Sequence, residues 1–342
     1  FFQEMTMAVV QQALEQALQA LNPAHLELIN ELNLDLGFFL NAPAYTKKNA
    51  VNTLAEPISE LNERLVADLK DAIESDKSIS ASYEIKNTDR SSMATLFGYL
   101  ATRQSQARMA EIKGEKTDIK PYSGKIDLTF TGSAGQSFGV FQTKDVDIKL
   151  IGEANDSVCK SMSGGKTVIV PNEKVMYKPE DNAIIGNCAL YGATGGKLYV
   201  HGQAGDRFAV RNSGAIAVVE GTGLHACEYM TNGTVVILGE TSDNVGAGMT
   251  GGTLFMYENP GYKINRDYIG EAAFTEADYA VLKEILEDYM NETGSKKAAY
   301  LVSDWENAKT QFKKFLPLSM IRIGEAENDK KESTDESGSD TN

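Results

Sequence analysis

Short apolar runs recur in the second half of the chain, and each run follows a pair of small turn residues. The pairs and runs are Gly164-Gly165 before 168–170, Gly195-Gly196 before 198–200, Ser213-Gly214 before 216–219, Asn232-Gly233 before 235–238, and Gly251-Gly252 before 254–257. The second residues of successive pairs are 31, 18, 19 and 19 positions apart, and the long interval contains an insertion near Asn172 to Asp181. Self-similarity at a fixed period is typical of repeat architectures.

Glycines mark the corners of this pattern. We expect turns at Gly132, Gly135, Gly152, Gly165, Gly186, Gly196, Gly202, Gly214, Gly221, Gly233, Gly239 and Gly252. Six of these glycines form a second series that runs in step with the pairs: Gly132, Gly152, Gly186, Gly202, Gly221 and Gly239. Glycine reaches positive φ without a clashing Cβ, and asparagine tolerates the same conformation. The pattern therefore predicts left-handed backbone at these corners.

The spacing also predicts the fold. About 19 residues at roughly 3.3 Å per extended residue make a loop on the order of 60 Å, which accommodates three short strands. Stacking such loops pairs their strands in parallel and buries Val, Ile and Leu. Because parallel crossovers are nearly always right-handed, we expect a mainly-β fold: a right-handed parallel β-helix over residues 124–262, with α-helical segments flanking it at both ends.

Helical spacing of apolar residues dominates the region before this pattern. Residues 1–55 are predicted to contain one amphipathic helix, from Phe2 to about Leu21, and are interpreted as a helical remnant or linker. Residues 56–123 are predicted to form a helix-strand-helix lead-in, with a helix over 58–73, a strand over 80–85 and a helix over 91–106. Asp89 or a neighbouring hydroxyl is a candidate N-cap of the last helix.

The region after the pattern is also predicted to be helical. Residues 263–323 are interpreted as helices that cap the open strand edge of the β-helix, because an uncovered edge invites aggregation. The first begins at Thr275, with Asp278 placed as the acid of a capping box, and the second runs from Ser295 to Phe315. Residues 324–342 are nearly devoid of apolar side chains and are expected to be a disordered acidic tail.

Composition narrows the classes of function. The 342 residues carry a formal net charge of −15, which disfavours nucleic acid and anionic membranes as partners because both are bound through clustered Lys and Arg. Cys159, Cys188 and Cys227 are far apart and odd in number, so we interpret them as reduced core or turn cysteines. The sequence lacks a secretion signal pattern, which predicts a cytoplasmic piece of a longer protein.

Two glycine motifs imitate nucleotide-binding loops. Residues 246–251 match the dinucleotide fingerprint, and residues 164–167 resemble part of a phosphate-binding loop. Both motifs require a helix directly after the loop, whereas apolar strand patterns follow here. We therefore interpret both as turns and assign no cofactor-binding residue.

Candidates for other chemistry are few. The three histidines lack metal-ligand spacing. His225, Cys227 and Glu228 are a candidate catalytic cluster, and Asp206, Arg207 and Arg211 are a candidate anion site. The alternative is structural: the two arginines pair with carboxylates on adjacent strands or turns. Catalytic, cofactor-binding and metal residues are all predicted to be none.

Several longer strings are specific enough to indicate a family. They are 87–90 (NTDR), 132–139 (GSAGQSFG), 152–156 (GEAND), 185–187 (IGN), 190–194 (LYGAT), 207–214 (RFAVRNSG) and 227–231 (CEYMT). With these strings, about residues 60 to 315 closely resemble the C-terminal GXGXG (glycine-repeat) domain of the glutamate synthase large (alpha) chain. The sequence departs from the family pattern at Cys159, Ser161, Ala226 and Asn232, where Cys159 and Ser161 replace typical corner glycines.

The resemblance implies a scaffold within an enzyme that converts glutamine and 2-oxoglutarate to two glutamates during nitrogen assimilation. It implies glutaminase and FMN-barrel domains of the same enzyme as partners, with a small reductase subunit as a further candidate partner, and FMN and an iron-sulfur cluster as cofactors of the full-length enzyme. This segment itself is expected to bind none of them. Two alternatives stay open: a free-standing glycine-repeat assembly subunit similar to the solenoid subunits of formylmethanofuran dehydrogenase complexes, and a carbohydrate-active β-helix enzyme.

Overall fold

The computed structural model describes residues 59–257 and 263–323. The helices are α1 (Glu60–Glu74), α2 (Ala94–Lys113), α3 (Glu276–Thr293), α4 (Lys296–Ser303) and α5 (Trp305–Ala308), with short 3₁₀ turns at Pro179–Asp181 and Lys309–Gln311. The strands are β1 (Ile79–Ile85), β2 (Ile126–Ala134), β3 (Val146–Ala154), β4 (Ser163–Val170), β5 (Ala183–Ile185), β6 (Gly195–Val200), β7 (Gln203–Ala204), β8 (Ser213–Val219), β9 (Gly221–Thr222), β10 (Asn232–Ile237), β11 (Thr253–Tyr257), β12 (Ile269–Ala272) and β13 (Phe312–Pro317). The predictions for residues 1–55 and 324–342 lie outside the described residues.

The strands form one mostly parallel sheet, which confirms the mainly-β prediction. Thirteen strands take part, and the sheet is not closed. β3 pairs with β4 from Asp147 to Ile151 and with β5 at its last residue, Ala154, so one strand joins a row of long strands to a row of short ones. β1 pairs in parallel with β2, and the sheet therefore begins within the predicted lead-in, before residue 124.

Alternation along each strand determines the core. In β2, Ile126, Leu128 and Phe130 are buried while Asp127 is exposed. The same alternation in β3 aligns with it residue by residue, from Ile126 opposite Val146 to Ala134 opposite Ala154. Aligned apolar columns of this kind bury a continuous interior, at roughly 25 cal/mol per Å² of apolar surface removed from water.

Six five-residue segments connect the short strands to the long ones or lie in equivalent places. They are 137–141, 157–161, 188–192, 207–211, 225–229 and 244–248, and we call them the turn ladder. In every segment the first, third and fifth residues have φ between +53° and +74°. The sequence predicted three short strands per repeat, whereas these segments alternate residues of positive φ with residues that do not have positive φ.

Backbone hydrogen bonds join neighbouring segments of the turn ladder. The amide of Ser137 donates to the carbonyl of Asp156 at 2.8 Å, and Phe141 donates to Lys160 at 2.9 Å. The central residue donates the other way, as in Cys159 to Phe138 at 2.8 Å. Alternating handedness turns successive amides toward opposite neighbours, so the segments satisfy their polar groups much as strands do.

Two different constraints explain the predicted turn glycines. Gly132, Gly152, Gly165, Gly196, Gly202, Gly233 and Gly252 have positive φ, as expected. The expectation is wrong for Gly135, Gly186, Gly214, Gly221 and Gly239, which are not among the positive-φ residues. In these five a neighbouring strand or turn passes too close for a side chain: a Cβ on Gly214 would lie 2.4 Å from the Thr194 carbonyl oxygen.

The sequence analysis grouped Gly186 with Gly132, Gly152 and Gly202, but in the structure Gly186 does not occupy an equivalent position. A Cβ there would lie 2.3 Å from Oδ1 of Asp156, and that oxygen accepts from the amide of Asn187 at 2.7 Å. Asn187 Oδ1 in turn accepts from the Asp206 amide at 2.8 Å, and Asp206 Oδ1 from the Leu224 amide at 2.8 Å. Glycine at this position leaves room for a stack of carboxylate and amide side chains.

The lead-in region contains the predicted helix, strand and helix, but the predicted cap is wrong. The N-cap of α2 is Met93, which has φ of +71° and makes no side-chain capping bond. Its amide donates to Oδ1 of Asn62 on α1 at 2.7 Å. Asp89 instead accepts from the Lys86 amide at 2.9 Å. A long-range bond between the two helices thus replaces the local cap.

The C-terminal region confirms one expectation and corrects another. Thr275 and Asp278 form the predicted capping box of α3. The predicted helix from Ser295 to Phe315 is wrong beyond Ala308, because residues 312–317 form β13. This strand pairs antiparallel with both β11 and β12. Covering an open sheet edge and burying Phe312 and Phe315 outweigh the local helical spacing.

Candidate functional site

The sequence suggested His225, Cys227 and Glu228 as a catalytic cluster, but the structure buries Cys227 in the core while His225 and Glu228 are only partly buried. Cys227 is the central residue of its turn-ladder segment, and its side chain is fully buried in the core, where burial raises the pKa of the thiol to about 12. His225 is only partly buried, and its Nδ1 lies 2.8 Å from Nδ2 of Asn244. A neutral buried thiol is a poor nucleophile, so this arrangement is structural.

The second candidate, Asp206 with Arg207 and Arg211, is also structural. Arg207 Nε lies 3.6 Å from Oε2 of Glu228 in the next segment of the turn ladder, which confirms the predicted pairing for this arginine. The predicted pairing is wrong for Arg211, which has no carboxylate within ion-pair distance among residues 59–257 and 263–323. Asp206 accepts a backbone hydrogen bond, as described above.

Both glycine motifs lie in strands or in turns that lead to strands. Residues 164–167 belong to β4, and the residues of the 246–251 motif lead into β11. Neither precedes a helix. Residues 246–248 form the predicted turn, whereas residues 164–167 lie within β4 and are not a separate turn. Across the described ranges, no group of three or more His, Cys, Asp and Glu residues has the arrangement of a metal site. Within the same part of the chain, no helix is long and apolar enough to span a bilayer.

A buried acid that the sequence did not single out lies where the C-terminal helices meet the sheet. Glu220 directly follows β8, and its side chain is 1% exposed. Oε1 accepts a hydrogen bond from the Ser295 hydroxyl, which also caps α4. Oε2 has no hydrogen-bond partner among the described residues, and Nε2 of His201 lies 3.9 Å from it. Tyr289 packs beside it and donates its single hydroxyl proton to the Val200 carbonyl.

The environment of Glu220 favours its neutral form. Burial raises the pKa of the carboxyl, and the Ser295 hydrogen bond and His201 only partly oppose this effect. Burying a carboxylate is costly unless both oxygens are paired. Such a group is therefore either a structural link or part of a binding site.

A cleft opens beside Glu220. It has a volume of about 750 Å³. Its lining includes the lysines Lys149, Lys178, Lys296 and Lys297, the acids Glu173, Glu180 and Glu220, and the apolar residues Ile151, Val170, Val175 and Tyr177. The sequence offered one signal for this site: Glu220 is an acid between a buried apolar run and a glycine. His201 and Ser295 lie 19 and 75 residues away from Glu220 in the chain, and that pattern could not connect them.

Comparison with known proteins defines the class to which the chain belongs. The model of the GXGXG motif family matches residues 62–318. The chain is therefore a member of the GXGXG family, and the described sheet and turn ladder lie within the matched region.

Individual relatives show that the matched region belongs to glutamate synthases. The chain is 40% identical over 307 residues to ferredoxin-dependent glutamate synthase 2 of Arabidopsis thaliana, covering 87% of this chain and 18% of that protein. It is 43% identical over 263 residues to the ferredoxin-dependent enzyme of Cyanidium caldarium, covering 76% and 16%. It is 41% identical over 278 residues to the NADH-dependent glutamate synthase of Schizosaccharomyces pombe, covering 80% of this chain and 13% of that protein. The chain is thus homologous to the GXGXG region of glutamate synthases, and it spans less than a fifth of these relatives.

Proposed function

We propose that this chain is the non-catalytic structural part of a glutamate synthase, which converts glutamine and 2-oxoglutarate to two glutamates. It holds the glutaminase and FMN-barrel domains of the same enzyme in register. The observation that carries the proposal is the match of most of this chain to under a fifth of each relative. The remaining four fifths provide room for the catalytic domains.

We further propose that the described strands and the turn ladder wind as a right-handed β-helix. Support comes from the parallel register of successive strands and from the hydrogen bonds between successive turn segments. Handedness follows from the general preference of parallel crossovers. A coil of this kind is a stiff block, because every segment bonds to the segments before and after it.

The cysteines of this segment do not suit the iron-sulfur cluster that the resemblance to the full-length enzyme implies. Cys159 and Cys227 are buried in the core, and Cys188 is partly buried on another turn, so the three thiols do not form a ligand set for an iron-sulfur cluster. In this proposal FMN and the cluster both belong to domains outside this chain, and none of its described residues contacts either group.

The test has two parts. The complete reading frame around this segment should encode a glutaminase and a flavin domain, whereas a free-standing assembly subunit would have neither. The purified chain should bind no FMN in a fluorescence titration and release no ammonia from glutamine. Flavin binding, glutaminase activity, or a reading frame limited to this segment would each contradict the scaffold role.

A further inference from the structure

Asn232 and Gly233 form an Asn-Gly pair at the start of β10, and it is the single pair of this kind in the 342-residue sequence. The Asn232 side chain is exposed, and the amide of Gly233 donates to its Oδ1 at 2.8 Å. The amide nitrogen therefore lies close to Cγ, the carbon that carries Oδ1. Glycine has no Cβ that would hinder a closer approach of these two atoms.

The nitrogen of the Asn232 carboxamide is held less firmly than the oxygen. Among residues 59–257 and 263–323, Nδ2 has no hydrogen-bond partner, whereas Oδ1 accepts from Gly233. A carboxamide that loses its nitrogen must first lose every hydrogen bond that holds this nitrogen. At Asn232 no such bond to the described residues has to be broken.

Two other asparagines lack this combination of features. Asn155 is exposed and its Oδ1 accepts from the amide of Asp156 at 2.8 Å, but its Nδ2 donates to Oδ1 of Asn87 at 3.2 Å. Asp156 also has a Cβ, which glycine lacks. Asn212 is fully buried, and both of its side-chain polar atoms bond to the backbone. Of the three, only Asn232 has an exposed carboxamide, an unpartnered nitrogen and a following glycine.

We propose that Asn232-Gly233 is a site of spontaneous backbone modification. The Gly233 nitrogen loses its proton to water and bonds to Cγ of Asn232, while the bond between Cγ and Nδ2 breaks and Nδ2 takes up a proton and leaves as ammonia. Water then opens the succinimide ring at either carbonyl carbon, which gives aspartate or isoaspartate at position 232. The inference is independent of the scaffold role, because it concerns only residues of this chain.

The two products have different consequences for the fold. Aspartate keeps the length of the backbone, and its carboxylate can accept from the Gly233 amide as Asn232 does. Isoaspartate leads the chain through the side-chain carbons and adds one atom to the backbone. Asn232 is in register with Ser213 of β8, and a Cβ on Gly233 would lie 2.4 Å from the Ala215 carbonyl oxygen, so a longer backbone has little room. In a closely packed sheet the isoaspartyl chain should be the less stable product.

The test is incubation of the whole folded chain at pH 8, followed by peptide mass spectrometry of each asparagine. Asn232 should gain the mass of aspartate about tenfold faster than Asn155, and Asn212 should stay unchanged. An isoaspartate-specific methyltransferase identifies the second product. Equal rates at Asn232 and Asn155 would overturn the proposal. Conversion of Asn232 more than about tenfold slower in the folded chain than in urea would also overturn it, because the native strand would then protect the pair.

Variants connect the reaction to stability. Asn232→Ser, which introduces the residue type that β8 has in register, should show no conversion and should keep its urea midpoint after incubation. The incubated parent should develop a second population that unfolds at lower urea. Asn232→Asp reproduces the product of unchanged length and should unfold close to the fresh parent. Equal destabilisation of Asn232→Asp and the incubated parent would show that the added charge, and not the longer backbone, weakens the fold, which would contradict the inferred effect of isoaspartate.

Discussion

The long strands and the turn ladder solve the same packing problem in different ways. The strands stack by alternation: every second side chain enters the core, and the backbone needs no unusual conformation. The turn ladder stacks through left-handed residues at eighteen positions, of which only Gly139, Gly192, Gly246 and Gly248 are glycine. A left-handed residue with a Cβ costs roughly 1–2 kcal/mol. The comparison shows that inter-segment hydrogen bonds and buried side chains hold an unfavourable backbone in place.

Glycine is indispensable for a different reason. In the turn ladder the Cβ atoms of Cys159, Leu190 and Ala209 point into the core, where they are fully buried and contribute apolar contacts. At Gly152, Gly233 and Gly239 a neighbouring carbonyl occupies the space that a Cβ would need, at 1.8, 2.4 and 2.1 Å. This fold therefore tolerates left-handed residues with side chains, but it does not tolerate a side chain where two backbones approach closely.

The largest expected effect comes from violating that close approach. Gly233→Val should lower the free energy of unfolding by about 3 kcal/mol or more, because φ is +96° and the new Cβ would lie 2.4 Å from the Ala215 carbonyl oxygen. Gly214→Val should cost more than about 1 kcal/mol through the contact with Thr194 alone. Urea unfolding followed by circular dichroism measures both.

The matched control is Gly98→Ala on α2, where nothing lies within 4 Å of the new Cβ and φ is ordinary. Its stability should stay equal or rise by up to about 1 kcal/mol, since alanine is the better helix former. If Gly233→Val unfolded at the same urea concentration as the parent, the packing of β10 against β8 would be wrong.

Sequence patterns predicted the strands well and the turn ladder poorly, for a physical reason. Alternation in β1 is a local signal, because whether a residue lies at an odd or an even position in the strand decides which face it occupies. The turn residues Arg207, Ala209 and Arg211 give no such signal, since their left-handed conformation depends on hydrogen bonds to segments about 19 residues away. Phe315 was likewise predicted to be helical from local spacing. It lies in a strand because β13 pairs with the open edge of β11, which the local sequence does not indicate.

The candidate site was beyond prediction for the same reason. Local patterns drew attention to His225, Cys227 and Glu228, which are adjacent in sequence yet divided by the backbone into core and surface. Glu220 and Ser295 meet only because α3 and α4 fold back over the sheet. An acid directly after an apolar strand therefore indicates a buried carboxyl only when it is known that a helix covers that end of the strand.

A smaller effect tests the cost of handedness directly. Ser161→Gly should stabilise the chain by about 0.5–1 kcal/mol, because φ is +56° and no hydrogen bond of the Ser161 side chain is lost. The control is Lys160→Gly, one residue earlier, where φ is not positive. This variant should be less stable than the parent by about 0.5–1 kcal/mol. Thermal melts of both variants decide. Destabilisation of the two by equal amounts would mean that residue 161 carries no strain.

The junction between the sheet and α3 should respond to acid. Burial alone would raise the pKa of Asp288, but hydrogen bonds from Lys197, at 2.6 Å, and Tyr199, at 2.8 Å, together with the charges of Lys197 and Lys166, lower it below its usual value. A lowered pKa contributes stability above the unfolded value near 3.8, and this contribution is lost as the pH falls through the folded value. Asp288→Asn should therefore reduce stability at pH 7 by up to about 1 kcal/mol and much less at pH 3. The control is Lys283→Gln, which removes an exposed ion pair with Glu287 on the same helix. An equal effect of Asp288→Asn at both pH values would contradict the Asp288–Lys197 ion pair.

The smallest perturbation is chemical labelling of the cysteines, which distinguishes the buried central residues of the turn ladder from the more exposed first residues without a mutation. Cys159 and Cys227 occupy central positions and are fully buried, and burial raises the pKa of each thiol to about 12. Cys188 is the first residue of its segment and is only partly buried, and its pKa is raised mainly by that burial. Because the thiolate is the reactive form, a thiol-specific reagent at pH 8 should label Cys188 first in the native chain and all three cysteines in urea. Rapid native labelling of Cys159 or Cys227 would mean that central side chains leave the core, and the turn ladder would then lack the buried contacts that hold its left-handed backbone.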